Sequence, residues 1–145
     1  MRIVRHPKPG GPATAVAIGS FDGVHRGHAA ILDRLRAEAA RRGLAPAVLT
    51  FEPLPRELFA PQAAPPRLTS LSERLAEIAR HGIEIAFVQR FDRRFAALDA
   101  EAFARRLAAE YGARHVLVGA DFRYGAGRAG DVAALARAGE RLGFT

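Results

Sequence analysis

An apolar run, Ala13 to Ile18, breaks into Gly19-Ser20-Phe21-Asp22-Gly23-Val24-His25-Arg26-Gly27-His28, and an amphipathic stretch follows it. The order is strand, glycine-rich turn, helix start, and it constrains the fold more than any other feature of the chain. A helix start presents unpaired backbone N–H groups and the positive end of the helix dipole, which suits an anion such as a phosphate. Gly19, Gly23 and Gly27 carry no Cβ, so the backbone can turn tightly and approach a ligand closely. His25 and His28 are three apart and can share one side of a first helical turn. Two imidazoles and a dipole converging on one point would stabilise phosphate oxygens that gain charge during a reaction.

The same alternation runs along the rest of the chain. From about His25 to Arg42, Ile31, Leu32, Leu35 and Ala39 form a helical stripe, and Gly43 ends it. Ala45–Phe51 is a second strand. Glu52 to Leu68 carries Pro53, Pro55, Pro61, Pro65 and Pro66, and so long a connection in a compact domain is usually functional or disordered. Ser70 with Glu73 forms a capping box for a helix with Leu71, Leu75, Ile78 and Ala79 inward, followed by Gly82. Ile83–Val88 reads as a third strand. A polar-aromatic segment with Phe91, Asp92 and Phe95 comes next, and the two rings are expected to pack under the sheet edge. Asp99 caps a helix to about Tyr111, with Phe103 and Leu107 inward and Gly112 after it. Arg114–Val118 is a fourth strand, Gly119 to Gly130 is a turn with four glycines, and Asp131 opens a last helix ending near Leu142. Alternating strands and helices imply a parallel sheet covered on both faces, with ligands gathered at the carboxyl ends of the strands.

Composition narrows the setting. With 145 residues, 49% of them hydrophobic, the chain is expected to form one domain. A domain of this size buries about two-thirds of its unfolded surface. No run approaches the roughly 18 apolar residues of a membrane span. Met1 to Pro12 reads as a polar tail, without the apolar core of a secretory signal. There is no cysteine, which excludes disulfides and thiolate metal sites, and the cytoplasm is the expected compartment. The net charge of +7 is almost all arginine, Lys8 being the only lysine. Arg34, Arg36, Arg41, Arg74, Arg80, Arg105, Arg106, Arg137 and Arg141 are spread over the helices, many near a carboxylate, and read as solvated faces rather than a nucleic-acid patch.

Gly19 to His28 resembles the signature of the HxGH nucleotidyltransferase superfamily, with His25-Arg26-Gly27-His28 as the tetrad. Within it, the chain resembles the FAD synthetase (FMN adenylyltransferase) module of prokaryotic bifunctional riboflavin kinase/FAD synthetases, with Ser20 where many members have Asn. Two further stretches carry the likeness. Phe51-Glu52-Pro53-Leu54-Pro55-Arg56-Glu57-Leu58-Phe59 is similar to the family's FxPxPxxxF segment. Gly119-Ala120-Asp121-Phe122-Arg123-Tyr124-Gly125, continued by Arg128, Gly130 and Asp131, is similar to its GxDFxFG…RxGD segment, with Tyr124 in place of a common Phe.

The resemblance implies a Rossmann-like nucleotidyltransferase fold and transfer of AMP from ATP to FMN, yielding FAD and pyrophosphate. It implies His25 and His28 as catalytic residues. Gly19, Ser20, Phe21, Asp22, Gly27, Gly119, Asp121 and Arg128 join them around ATP, while Phe51, Pro53, Pro55, Phe59 and Phe122 hold the flavin. Mg²⁺ would ride on the ATP phosphates, since no carboxylate cage is evident. The chain is expected to be an FMN adenylyltransferase domain of residues 1–145, truncated near Gly143-Phe144-Thr145 before a fifth strand, without the riboflavin kinase module. Two other readings stay open: another phosphate acceptor on the same scaffold, and a non-catalytic arginine-rich nucleic-acid module. Oligomeric state is not legible here.

Overall fold

Five short segments, three of them apolar runs that suit a sheet buried on both faces, pair side by side in the computed structural model, which describes residues 1–23, 26–63 and 66–145. They are β1 (Arg2–Val4), β2 (Thr14–Ile18), β3 (Ala45–Glu52), β4 (Ile85–Arg90) and β5 (Ala113–Leu117). Their spatial order is β1-β4-β3-β2-β5, and each neighbouring pair is parallel. Helices α1 (Arg26–Arg42), α2 (Pro55–Phe59), α3 (Leu71–Arg80), α4 (Arg93–Ala96), α5 (Ala100–Ala109) and α6 (Val132–Leu142) fill the connections. No described helix is long and apolar enough to cross a membrane.

The period of two along each strand divides the core into two layers. Val16, Ile18, Leu49 and Phe87 face Phe103 and Leu107 of α5 and Leu135 of α6. Ala15, Ala17, Val48 and Val88 face Leu32, Leu35 and Ala39 of α1 and Leu75 and Ile78 of α3. Leu32 and Leu35 are fully buried, and each such side chain contributes about 1.5–3 kcal/mol.

The helix starts follow their caps. The Ser70 hydroxyl accepts from the Glu73 N–H at 3.1 Å, and the Glu73 carboxylate accepts from the Ser70 N–H at 3.1 Å. Asp99 and Asp131 accept from the N–H groups of Ala102 and Ala134 at 2.7 and 2.8 Å.

Four expectations shift. Part of the polar N-terminal segment is not a tail: Arg2–Val4 pairs with β4 as an edge strand, too short to show a pattern. The third strand lies two residues later than its apolar run, at Ile85–Arg90, because Ile83 is buried in the approach to it. The proline-rich connection contains α2, which Pro55 opens, a position where its missing N–H costs nothing. On α3 the inward face carries Arg74 rather than Ala79: Arg74 is 1% exposed, and Ala79 lies on the open side. Past α6 the chain turns back, and Thr145 exchanges two backbone hydrogen bonds with β5, at Arg114 and Val116.

Candidate active site

Strand order locates the site. From β2 the chain moves through α1 to β3 on one side, and β5 later returns to the other side of β2. Loops leaving the carboxyl ends of β2 and β5 therefore diverge, and a crevice opens at this switch point. A cleft of about 860 Å³ lies there. Gly19 and Ser20 of the glycine turn reach it, with Phe51, Pro55 and Phe59 from the end of β3 and α2, and Phe122 and Arg128 from the loop after β5. Three loops distant in sequence thus share one cavity.

Its wall is aromatic. The Phe59 ring meets Phe91 edge-on with centroids 5.7 Å apart, and Phe91 meets Phe51 at 5.4 Å and Phe95 at 5.6 Å. The series continues through Phe95–Phe103 at 6.1 Å and Phe103–Tyr124 at 5.5 Å to Phe122, stacked on Tyr124 at 5.7 Å and 16°. Phe59, at the open end, is 67% exposed. Rings in edge and stacked arrangements give flat apolar faces suited to a planar heteroaromatic ligand. Phe91, Phe95, Phe103 and Tyr124 all line the cleft, and sequence reasoning named none of them as site residues. Phe95, 9% exposed, packs in the core as well as lining the cleft.

The glycine turn is held from behind. Gly19 extends the β2–β3 ladder by donating to the Leu49 carbonyl at 3.1 Å. The Ser20 carbonyl accepts from the Thr50 hydroxyl at 3.0 Å and from Arg74 Nη1 at 3.0 Å. Phe21 has φ of +54° and is 2% exposed, with its ring edge-on to His28 at 5.3 Å. A phenylalanine in the left-handed region is strained, and such strain persists only where the surroundings over-determine it. Gly23, at φ +62°, leaves no room for a Cβ, which would stand 2.7 Å from Leu68 Cδ1.

Asp22 is engaged in the same framework. Its Oδ2 accepts from Arg56 Nη2 at 2.8 Å and the Leu68 N–H at 3.1 Å, and its Oδ1 accepts from the Thr69 N–H and hydroxyl, both at 3.0 Å. Burial pushes this carboxyl up, but the Leu68, Thr69 and Arg56 donors outweigh it and hold Asp22 below the ordinary aspartate value. Phe21, Asp22, Gly27 and His28 are not among the described residues that line the cleft. Gly27 is exposed and His28 half-buried in the first turn of α1, and His25 lies outside the described residues.

The proline-rich loop closes on itself through Arg67. Its Nε donates to Glu57 at 2.7 Å, its Nη1 to Glu52 at 3.0 Å, and its Nη2 to both carboxylates. Those bonds hold Glu57 at about 2, against burial. Glu52 also receives Arg74 Nη2 at 3.2 Å. Burial lowers the Arg74 guanidinium from its usual value, with the Glu52 charge opposing.

Beside the main cleft lies a second hollow of about 450 Å³, lined by Asp121 and Asp131 and sharing Phe122, Arg123 and Arg128 with its neighbour. Arg128 makes no ion pair with a described residue, and so offers a guanidinium to both spaces. Pro53 and Gly119 line neither cavity. Among the described residues no three His, Asp or Glu side chains gather as a metal cage.

A parallel sheet in this order, with its cleft at the switch point between a glycine turn and an aromatic wall, defines a Rossmann-like α/β ligand-binding domain. Residues 9–145 match the family model for FAD synthetase, and the chain belongs to that family. It is 48% identical over 130 residues to the bifunctional riboflavin kinase/FMN adenylyltransferase of Escherichia coli K12, covering 89% of this chain and 42% of that protein. The protein of the same description from Pseudomonas fluorescens is 40% identical over 149 aligned positions, covering 100% of this chain and 48% of the relative. The chain thus spans less than half the length of either. A crystal structure described as a macrolide-efflux protein from Streptococcus pneumoniae superposes with a TM-score of 0.76 at 22% identity, over 95% of this chain and 47% of the other. At that identity the likeness concerns the fold alone.

Proposed function

We propose that this protein transfers AMP from ATP to FMN, giving FAD and pyrophosphate. The observation that carries the reading is one cleft with two unlike ends: a glycine turn leading into α1, and a wall of phenylalanines. The first suits phosphates and the second suits an isoalloxazine ring. An FMN phosphate oxygen attacks the α-phosphorus of ATP, a new P–O bond forms, and the bond to the bridging oxygen breaks. That oxygen leaves with its electron pair as part of pyrophosphate. The nucleophile is already anionic, so the protein's part is placement and charge stabilisation.

His25 and His28, with the N–H groups of Gly27 and His28, hold the departing phosphates. Gly19 and Ser20 border the phosphate chain. Asp121 positions the adenosine, with Gly119 shaping the loop that carries it, and Arg128 pairs with phosphate oxygens. Phe51, Pro55, Phe59 and Phe122 hold the flavin, joined by Phe91 and Tyr124, and Pro53 shapes their loop from outside the cleft. Phe21 and Asp22 serve ATP indirectly, by fixing the turn. Mg²⁺ arrives on the ATP phosphates, in keeping with the lack of a carboxylate cage among the described residues. The second activity in the relatives' names, riboflavin phosphorylation, belongs on this reading to the whole protein, which works in the cytoplasm. The test is incubation with FMN, ATP and Mg²⁺ and chromatographic detection of FAD. FAD and pyrophosphate in equal amounts are expected, and absence of both overturns the reading.

A further inference from the structure

Arg74 occupies the inward face of α3, where the helical pattern calls for an apolar residue, and its side chain is 1% exposed. Its Nη1 donates to the Ser20 carbonyl at 3.0 Å, and its Nη2 to the Phe51 carbonyl at 3.2 Å and to Glu52 at 3.2 Å. Its Nε is buried with no hydrogen-bond partner among the described residues. Ser20 belongs to the glycine turn at the end of β2, and Phe51 to the aromatic wall at the end of β3. One planar cation therefore joins the backbones of the two substrate loops from behind the cleft, without lining it.

A buried arginine with one orphaned N–H is a poor device for stability. Removing such a charge from water is costly, and a well-packed apolar side chain of similar volume often does as well. What the guanidinium supplies is geometry, because its fork holds two acceptors at a fixed separation. The Thr50 hydroxyl supports the Ser20 carbonyl from a second side at 3.0 Å.

We propose that Arg74 is a positioning residue that sets the distance between the nucleotide and flavin subsites through the Ser20 and Phe51 carbonyls. The proposal rests on the adenylyl-transfer reading. Each substrate alone meets a largely intact half-site when the brace is gone, but the attacking oxygen and the α-phosphorus no longer line up. A misplacement of about 1 Å can cost about 10²-fold in rate.

The test separates binding from turnover. In Arg74→Met, kcat for FAD formation is expected to fall about 10²-fold, while the Kd values for FMN alone and for ATP alone stay within about threefold. Arg74→Lys keeps a cation beside the carbonyls but lacks the fork, and is expected to recover only part of the lost rate. Flavin-binding stoichiometry gives the folded fraction, so kcat is expressed per competent site. Should Arg74→Met not fold, Arg74→Gln takes its place with the same expectation. A kcat within about threefold of wild type overturns the proposal. So does a rate loss matched by lost affinity for either substrate, or an Arg74→Lys enzyme no faster than Arg74→Met, which marks simple core damage. Wild-type protein that forms no FAD removes the underlying reading and this inference together. FAD formation that Arg74→Met sustains undiminished removes the inference alone.

Discussion

Asp22 and Thr69, 47 positions apart, meet through two hydrogen bonds of 3.0 Å, one from the Thr69 N–H and one from its hydroxyl, both to the same carboxylate oxygen. The other oxygen holds Leu68 and Arg56, so one buried carboxylate fastens the glycine turn to both arms of the proline-rich loop. Asp22→Ala removes four acceptor contacts and leaves the Leu68 and Thr69 N–H groups to find water. A loss of about 2–3 kcal/mol is expected in urea unfolding at pH 7, since hydrogen bonds to charged groups carry about 1.5–3 kcal/mol each and are only partly replaced. Affinity for FMN should fall in parallel, because Arg56 and Phe59 share α2.

Acid should loosen the same loop in a defined window. Glu57 titrates at about 2 in the folded chain against an ordinary 4.5, chiefly through its hydrogen bonds from Arg67. A carboxylate with a depressed folded value contributes its stability above the unfolded pKa and loses it as pH falls through the folded one. The contribution is therefore whole above about 4.5 and fades toward 2. Glu57→Gln is expected to cost about 1 kcal/mol at pH 7 once solvent screening is allowed for. Denaturant midpoints of variant and wild type should draw together as the pH drops through this window; a gap that stays constant would contradict the assignment.

Gly130 sits against the face of Tyr124, where an added Cβ would lie 2.5 Å from the ring. The two residues also form an isolated antiparallel bridge, and Tyr124 stacks on Phe122 in the cleft wall. Gly130→Ala must therefore displace the ring. Overpacking of this kind costs about 1–3 kcal/mol. Thermal unfolding should show that cost, and flavin fluorescence titration should show weaker FMN binding. Unchanged affinity would mean that Tyr124 does not border the flavin.

Phe91 touches Phe51, Phe59 and Phe95 at once. Phe91→Ala opens the wall beside Phe59. FMN affinity is expected to fall about tenfold, the size of one lost aromatic contact of about 1.5 kcal/mol. ATP affinity should hold. Equal losses for both ligands would instead mark collapse of the loops.

What the sequence made legible were local signals. The Ser70–Glu73 box, the Asp99 and Asp131 caps and the apolar strand runs each need only a few neighbouring residues, and each fell within a residue or two of its place. Phe51, Pro55, Phe59 and Phe122 could be tied to one ligand because the loops resemble a known pattern, and they do line a single cleft. Illegible features depended on pairing across the fold. Arg2–Val4 becomes a strand only because β4 offers an edge. Arg74 fits the inward stripe with Leu71, Leu75 and Ile78, but its charge hides it until the carbonyls it serves come into view. Phe91, Phe103 and Tyr124 become neighbours through β4, α5 and the loop after β5, and no spacing along the chain announces that.

His28 offers the most direct test of the reaction itself. Its ring stands in the first turn of α1, packed edge-on against the buried Phe21, whose own backbone is held in the left-handed region. That packing restrains the imidazole, and on the proposed reading a ring already held in place donates to a departing phosphate with little reorganisation. His28→Ala is expected to lower kcat for FAD formation by about 10²–10³-fold, the usual effect of deleting one transition-state donor. The Kd for FMN should scarcely move, because the aromatic wall is untouched. His28→Asn, which restores a donor of similar reach, should recover part of the rate. An Ala variant with near-wild-type turnover would remove His28 from the chemistry and leave phosphate stabilisation to backbone N–H groups and arginine.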